Sequence, residues 1–335
     1  MTEPRIPFLL TIDAEPDPAE IERHTTEPWV GFERCIEIVE RLRPTLERAT
    51  GRPAHFTWAL RIDDQVAEAY GSMTWVVDRY GTNLEALRAK GDALGIHPHA
   101  WRWSDDLGRW FQDHADGDWV EGTIRRSAAA FEATLGPCRI HRYGSHYLDA
   151  RIVGVLREIG IAVDLTPEPG SAATKSLGAE LTTGLIPDQQ AAPDRIYHPD
   201  PADPFAALPE RDGTAPTGPG GPDDLWIIPN TSFDPASLMP AWRRVARRVR
   251  YPGRSPVRPI HLYSGLAGDR YWRVVGDHAR SLERPFLSFS LRSDAPLRAY
   301  WPAVQEKLDG LLRDPLLPQL VFATPAETIE QLDGS

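Results

Sequence analysis

Two histidines one residue apart, His97 and His99, follow the short apolar run Leu94-Gly95-Ile96. In an extended backbone residues i and i+2 project to the same side, so a strand ending here aims both imidazoles into one pocket. That is how a divalent-metal site begins. Pro98 between them has no amide hydrogen and suits a strand terminus better than a central ladder position. A second pair repeats the spacing near the N-terminus, where the apolar, β-favouring run Phe8 to Ile12 stops in Asp13-Ala14-Glu15-Pro16. Asp13 and Glu15 then emerge together at the C-terminal end of a strand, where ligands and catalysis gather in α/β folds. Each pair has a plainer reading as polar groups at a strand end, a solvated acidic loop or a helix cap. Two carboxylates and two histidines, each pair closing a strand, point instead to shared chemistry.

The elements that must position these pairs alternate. Gly31 to Thr50 carries apolar residues at Phe32, Cys35, Ile36, Val39, Leu42 and Leu46, a helical pattern interrupted by Pro44. Pro53 to Leu60 reads as a strand, Asp64 to Tyr80 as a helix, and Asn83 to Lys90 as a shorter helix leading into the histidine strand. Then come a helix at Trp119 to Leu135, a strand at Cys138 to Tyr143, a helix at Asp149 to Ile159 and a strand at Ile161 to Leu165. Strict alternation of this kind specifies a parallel sheet with covering helices. The 335 residues suit one large α/β barrel as well as two domains.

The pattern breaks from Pro167 to Asp224, rich in Pro, Gly, Ala and Asp. An irregular segment of this length is an excursion or a lid; its first half is expected to be ordered across the barrel mouth and its second half mobile. Regular structure resumes with a strand at Leu225 to Ile228, a basic helix at Pro235 to Arg250 and a strand at Pro259 to Leu262. A helix at Tyr271 to Leu282, a strand at Phe286 to Leu291, a helix at Leu297 to Leu312 and a strand at Gln319 to Phe322 follow. The last helix starts after Thr324-Pro325-Ala326-Glu327, a capping box with proline first inside.

Composition limits the partners. Lys and Arg number 37 against 48 Asp and Glu, a net charge of -11, which argues against nucleic acid. No run of about 18 apolar residues and no basic segment leading into an apolar stretch is present, so a soluble, cytoplasmic protein with no membrane partner is expected. Cys35 and Cys138 have neither metal-like nor redox spacing and read as packing residues.

Thr11-Ile12-Asp13-Ala14-Glu15, the stretch Gly91 to His99, Arg142-Tyr143-Gly144 and then Gly160-Ile161-Ala162-Val163-Asp164 stand in an order and spacing that resembles the polysaccharide deacetylases, at the divergent, cytosolic-looking end of that superfamily. The match covers about residues 5 to 166 and is weak beyond. The resemblance implies a single domain over 1–335, a distorted (β/α) barrel of mainly parallel strands with the 167–224 insertion inside it. It also implies removal of an acyl group from an amino sugar with the help of a bound metal.

Carried over residue by residue, the resemblance makes Asp13 the general base and Glu15 a metal ligand, as in branches where the usual Asp-Asp pair is opened to acid-x-acid. His97 looks like the first metal histidine. The second normally comes four residues on, where this chain has Trp101, and His99 is the nearest substitute. Arg142 resembles the arginine that orients the base, and Tyr143-Gly144 the loop that offers a backbone amide to the oxyanion; the family's proline between arginine and tyrosine is missing. The family's late histidine, which protonates the departing amine, is replaced by Ser290 in Phe286 to Arg292. A serine hydroxyl is no general acid near neutral pH, which leaves His261 and His146 as stand-ins or as ordinary hydrogen-bonded histidines.

One carboxylate and two neutral imidazoles suit zinc and tolerate other divalent ions. Trp101, Trp103, Trp110, Trp119, Tyr143 and Tyr147 gather near these motifs, either to stack on a sugar ring or to staple loops to the barrel. The expected activity is hydrolysis of a carbon-nitrogen amide bond in a small amino-sugar conjugate or intracellular glycan precursor, with a small-molecule or oligosaccharide substrate. A metal-free glycoside hydrolase using the carboxylates and a non-catalytic sugar- or protein-binding descendant stand as alternatives.

Overall fold

The apolar run near the N-terminus is buried along its whole length and forms β1 (Ile6–Ala14), the strand from which the sheet is built outwards. The computed structural model describes residues 5–17, 21–175, 181–209, 225–234, 257–263, 268–294 and 297–333. Strands β2 (Thr57–Leu60), β3 (Ala93–Ile96), β6 (Ile140–His141), β7 (Val163–Asp164), β9 (Trp226–Ile227), β12 (Leu287–Arg292) and β13 (Leu320–Phe322) join it in one sheet. Its order is β12-β1-β2-β3-β6-β7-β9, with β13 also on β1. Every pairing is parallel. Continuous apolar strands such as Phe8 to Ile12 are what a sheet covered on both faces demands.

On one edge β1 pairs from Phe8 to Asp13 with Leu287 to Arg292. On the other it meets β13 first, from Ile6 to Phe8, and then β2, from Thr11 to Ala14. That split is the distortion in the barrel. No ladder joins β9 to β12, but Thr231 bridges the seam: its amide donates to Ser288 O and its Oγ1 accepts from the Ser288 amide, both at 2.8 Å. The result is a distorted (β/α) barrel whose strands all present their C-terminal ends at one rim.

Around the sheet lie α1 (Val30–Thr50), α2 (Asp64–Tyr70), α3 (Trp75–Ala89), α4 (Gly117–Leu135), α5 (Ala150–Glu158), α6 (Gly268–Ser281), α7 (Leu297–Leu311) and α8 (Pro325–Asp333). α1 buries Phe32, Cys35, Ile38, Val39, Leu42 and Leu46, runs through Pro44, and stops at Gly51, whose φ of 68° only glycine adopts freely. Ile36, expected on that face, is half-buried. Asp64 to Tyr80 is not one helix. Gly71, with φ of 79°, ends α2, and α3 restarts at Trp75 and absorbs the short helix expected at Asn83 to Lys90. The capping box at Thr324 holds: the Thr324 amide donates to Glu327 Oε2 at 2.8 Å, and the Glu327 amide donates to Thr324 Oγ1 at 3.4 Å.

The tryptophan-rich stretch after the histidines forms an unforeseen hairpin, β4 (Trp101–Ser104) with β5 (Arg109–Asp113). Its turn, Asp105-Asp106-Leu107-Gly108, has Gly108 at a φ of 60°, a turn signal overshadowed by the aromatics around it. The Pro/Gly-rich insertion contributes β8 (Thr182–Thr183) to this hairpin, so its described first half packs beside the rim. The insertion's expected mobile half and the helix expected at 235–250 lie outside the described residues. The remaining pair, β10 (Ser232–Phe233) and β11 (Arg258–Pro259), is antiparallel. Among the described residues no helix is long and apolar enough to cross a membrane. Cys35 and Cys138 are buried and unbridged, and burial pushes both thiols up to about 12.

Candidate metal centre and acid-base pair

β1 and β3 are both neighbours of β2, so the residues that follow them share one sector of the rim. Glu15, His97 and His99 meet there, each no more than 5% exposed. His99 Nε2 lies 3.2 Å from His97 Nε2 and 3.2 Å from Glu15 Oε2, and His97 Nε2 lies 3.6 Å from Glu15 Oε1. Two ligands on one tetrahedral zinc, each at about 2.0–2.1 Å, stand roughly 3.3 Å apart. The donor set therefore has the span a single ion needs, and among the described residues no other group of three has its ligand atoms within 4.8 Å of one another.

The His97 tautomer agrees with this. His97 Nδ1 donates to the Arg142 carbonyl at 2.8 Å, which leaves the Nε2 lone pair facing the cluster and fixes the ring, as outer partners of metal-bound histidines do. Nitrogen and oxygen lone pairs converging at these distances require either a proton on His99 Nε2 or a cation among them. Burial, with the Arg61 charge adding to it and Glu15 opposing, holds the His99 imidazole well below the usual histidine range. For Glu15, burial alone would raise the carboxyl, but Arg292 and the two histidines outweigh it and hold the group well below the usual carboxylate range. A neutral imidazole and an ionised carboxylate are the states that ligate metal.

Asp13, buried beside this cluster, takes a different partner. Arg142 Nε donates to Asp13 Oδ1 at 2.8 Å, and Arg142 Nη1 donates to the Leu165 carbonyl. Arg142 follows β6, whose last residue is anchored from below: His141 Nδ1 lies 2.6 Å from Asp164 Oδ2, which also accepts from Thr166 Oγ1 at 2.7 Å.

The structure places the other sequence candidates less openly. The Tyr143 amide donates to Thr166 Oγ1 at 2.9 Å and the Gly144 amide to the Pro98 carbonyl at 2.8 Å. Neither N–H is left for an oxyanion; both instead lock the loop that carries Arg142. Tyr143 and Trp101 are 0% and 1% exposed, so their rings pack mostly inside. Gly144 has a steric role. A Cβ there would stand 2.1–2.3 Å from His99 ring atoms, so Gly144→Ala must push that ring aside. Zinc affinity is expected to fall by about tenfold or more, in the range seen when an orienting partner is lost, with isothermal titration as the check.

Sequence reasoning missed four further charged groups. Arg61, 1% exposed and just past β2, donates from Nη1 to Glu15 Oε2 at 3.2 Å and from Nε to Asp63. Asp63 accepts the His99 amide at 3.1 Å and the Val66 amide at 3.0 Å, so one carboxylate caps α2 and holds the histidine loop. At the end of β12, Arg292 Nε reaches within 3.4 Å of Glu15 Oε1 and Nη2 donates to Asp294 Oδ2 at 2.6 Å. Ser290, expected where a late proton donor would sit, is mid-strand opposite Thr11; the rim position of β12 belongs to Arg292 and Asp294. His146 and His261 lie in the adjoining sector, both against Glu168.

Asp294 is 1% exposed, with Oδ1 buried and unpartnered. Burial and the charge of Glu15 push its carboxyl from the ordinary 3.8 up to about 7, Arg292 opposing. A folded value above the unfolded one stabilises fully below roughly pH 4, and that contribution is lost as pH rises through the folded value. Asp294→Asn, neutral at every pH, should raise the melting temperature at pH 8 and leave it unchanged or lower at pH 4.

No family model and no curated protein matches the sequence. Among solved structures, a protein from Parabacteroides distasonis described as a glycoside hydrolase/deacetylase aligns over 98% of this chain and 71% of its own, at 13% identity and a TM-score of 0.57. One from Mycobacterium smegmatis, described as a polysaccharide deacetylase, aligns over 99% of this chain and 92% of its own, at 11% identity and a TM-score of 0.48. Puue allantoinase aligns over 99% and 91%, at 14% identity and 0.47. The first of these carries the fold: the chain adopts the same kind of distorted (β/α) barrel as that glycoside hydrolase/deacetylase.

Proposed function

We propose that the protein is a metal-dependent hydrolase of a carbon-nitrogen amide bond, acting on a small N-acylated amino-sugar conjugate or glycan precursor. The observation that carries this is the convergence of Glu15, His97 and His99 on one point beside the Asp13–Arg142 pair. These three residues would hold the metal, and their make-up favours zinc. When bound, the ion supplies Lewis acidity: it polarises a carbonyl and makes water nucleophilic near neutral pH.

The chain's own groups do the rest. Asp13, oriented by the Arg142 guanidinium, accepts the proton that water gives up as it adds to the carbonyl carbon. Arg61 and Arg292 flank the Glu15 carboxylate and hold it ionised and in place. With the Tyr143 and Gly144 amides engaged, the exposed face of Arg292, whose side chain is 46% accessible, is, among the described residues, a cation beside Glu15 that a substrate oxygen can reach. Acetate release from N-acetylglucosamine and its short oligomers tests the reading. The expected result is turnover that chelation abolishes and zinc restores; turnover indifferent to chelation rejects metal dependence.

A further inference from the structure

The imidazole of His99 is hydrogen-bonded at both nitrogens, and the two sides make opposite demands on it. On the Nε2 side stand Glu15 Oε2 and His97 Nε2, each at 3.2 Å. On the Nδ1 side the Gln112 carboxamide places its Nε2 at 3.4 Å, while its Oε1 accepts from Ser145 Oγ at 2.8 Å. An amide nitrogen only donates, so His99 Nδ1 is the acceptor of that bond and the ring's one hydrogen sits on Nε2. There it points at a carboxylate oxygen and at the bare Nε2 of His97, whose own hydrogen is on Nδ1, toward the Arg142 carbonyl. The two histidines therefore hold opposite tautomers. His97 shows the cluster a lone pair, and His99 shows it a proton.

A metal ion takes a lone pair from each imidazole. His99 is kept neutral by its burial, so to ligate through Nε2 it must carry its hydrogen on Nδ1, where that hydrogen meets the NH2 group of Gln112. The ring has little room to avoid the clash. It is packed against Gly144 so closely that a methyl group there would not fit, and the His99 amide is tied to Asp63 at 3.1 Å. Gln112 is 2% exposed and stands on the middle strand of the β4-β5-β8 sheet, paired with Trp101 on one side and Thr182 on the other, its amide on the Leu181 carbonyl at 2.7 Å. Its backbone is fixed, and the freedom left to it is a half-turn of the carboxamide. The oxygen and the NH2 group are nearly the same size, so the half-turn exchanges them without repacking. Oε1 then accepts from His99 Nδ1, and Nε2 donates to a lone pair of Ser145 Oγ.

We propose that Gln112 is a positioning residue of the metal centre, a carboxamide that turns over as the ion binds and holds His99 in the tautomer that ligates; this rests on reading Glu15, His97 and His99 as a metal site. The protons balance. His99 Nε2 gives its hydrogen to solvent, Nδ1 takes one up from solvent, and the ring is neutral before and after. Once turned, the carboxamide is the outer partner that fixes ring and tautomer, as the Arg142 carbonyl already is for His97. Ser145 belongs to the same device. Its φ of 59°, a left-handed conformation that side chains other than glycine's resist, brings Oγ to Gln112. The β4–β5 hairpin thereby gains a task, since it delivers to the second histidine a support from outside the barrel sheet.

The test reads the two rings directly. In the full-length protein with ¹⁵N-labelled histidine, ring-nitrogen spectra of the chelated form should show His97 protonated at Nδ1 and His99 at Nε2. Zinc should leave the first unchanged and move the second to Nδ1. These spectra need no substitution, so they stand whether or not a variant folds. Zinc titration calorimetry of two variants then measures what the carboxamide contributes. Gln112→Leu keeps the volume and accepts nothing, and its zinc affinity is expected to fall by about 10–100-fold. Gln112→Glu always presents an oxygen to His99 Nδ1, with its second oxygen left for Ser145, and is expected to bind zinc at least as tightly as the native protein. A hydrogen on the same His99 nitrogen with and without zinc overturns the proposal. So does a Gln112→Leu variant that binds zinc as the native protein does, or a Gln112→Glu variant as weak as Gln112→Leu. Native protein that takes up no zinc instead rejects the metal centre itself, and the role of Gln112 with it.

Discussion

His97→Ala combined with His99→Ala is expected to strip the protein of zinc while leaving it folded. Losing a partner that merely orients a metal histidine costs about 10–100-fold in affinity, and removing two of three ligands should exceed that. The fold has no reason to fail. Without the rings Glu15 keeps Arg61 and Arg292, so no buried charge is left alone. Elemental analysis of native and variant protein gives the first reading, and melting gives the second. A thousandfold excess of ligand over its dissociation constant stabilises by about 4.1 kcal/mol, so zinc should raise the melting temperature of the native protein and not of the variant. Equal zinc in both proteins would place the metal elsewhere.

Asp13→Asn separates the base from the ligands. The amide oxygen still accepts from Arg142 Nε, so the pair's geometry survives, while the ability to take a proton does not. Turnover should drop by about 10²–10⁴-fold, the usual worth of a positioned acid or base, with zinc content intact. If zinc is lost and Glu15→Gln keeps it, the roles of Asp13 and Glu15 are exchanged. Chelated native protein serves as the common reference for both experiments.

Much of the site was legible because it follows one rule. Asp13-Ala14-Glu15, Arg61-Ile62-Asp63, His97-Pro98-His99 and Arg292-Ser293-Asp294 each stand at the C-terminal end of a parallel strand, and in each the residues i and i+2 are polar. Carboxylate pairs and histidine pairs stand out as potential ligands, so the first and third of these were visible. A salt-bridging Arg-x-Asp looks like an ordinary cap and solvated charge. Its meaning depends on which strand lies beside it, and that order is set by tertiary pairing. Glu168 was hidden for the same reason, since its partners His146, His261 and Asn230 are remote in sequence. The alternation of helix and strand was readable from period and caps. The β4–β5 hairpin was not, because Trp101-Arg102-Trp103 and Trp110-Phe111 read equally well as a ligand platform.

β1 has a consequence for how the molecule is made. The strand that carries Asp13 and leads to Glu15 is made before every other described strand, yet its two flanks include β12 and β13, the last two described strands in sequence. Such separation makes closure slow, because a long loop must be ordered before the contacts that reward it exist. On the ribosome the nascent chain can pair β1 with β2 and β2 with β3 and so bring together Glu15, His97 and His99, but the opposite edge of β1 stays open until residue 292 has emerged. An exposed edge of Phe8 to Ile12 is a template for aggregation, and its protection falls to whatever meets the chain during translation.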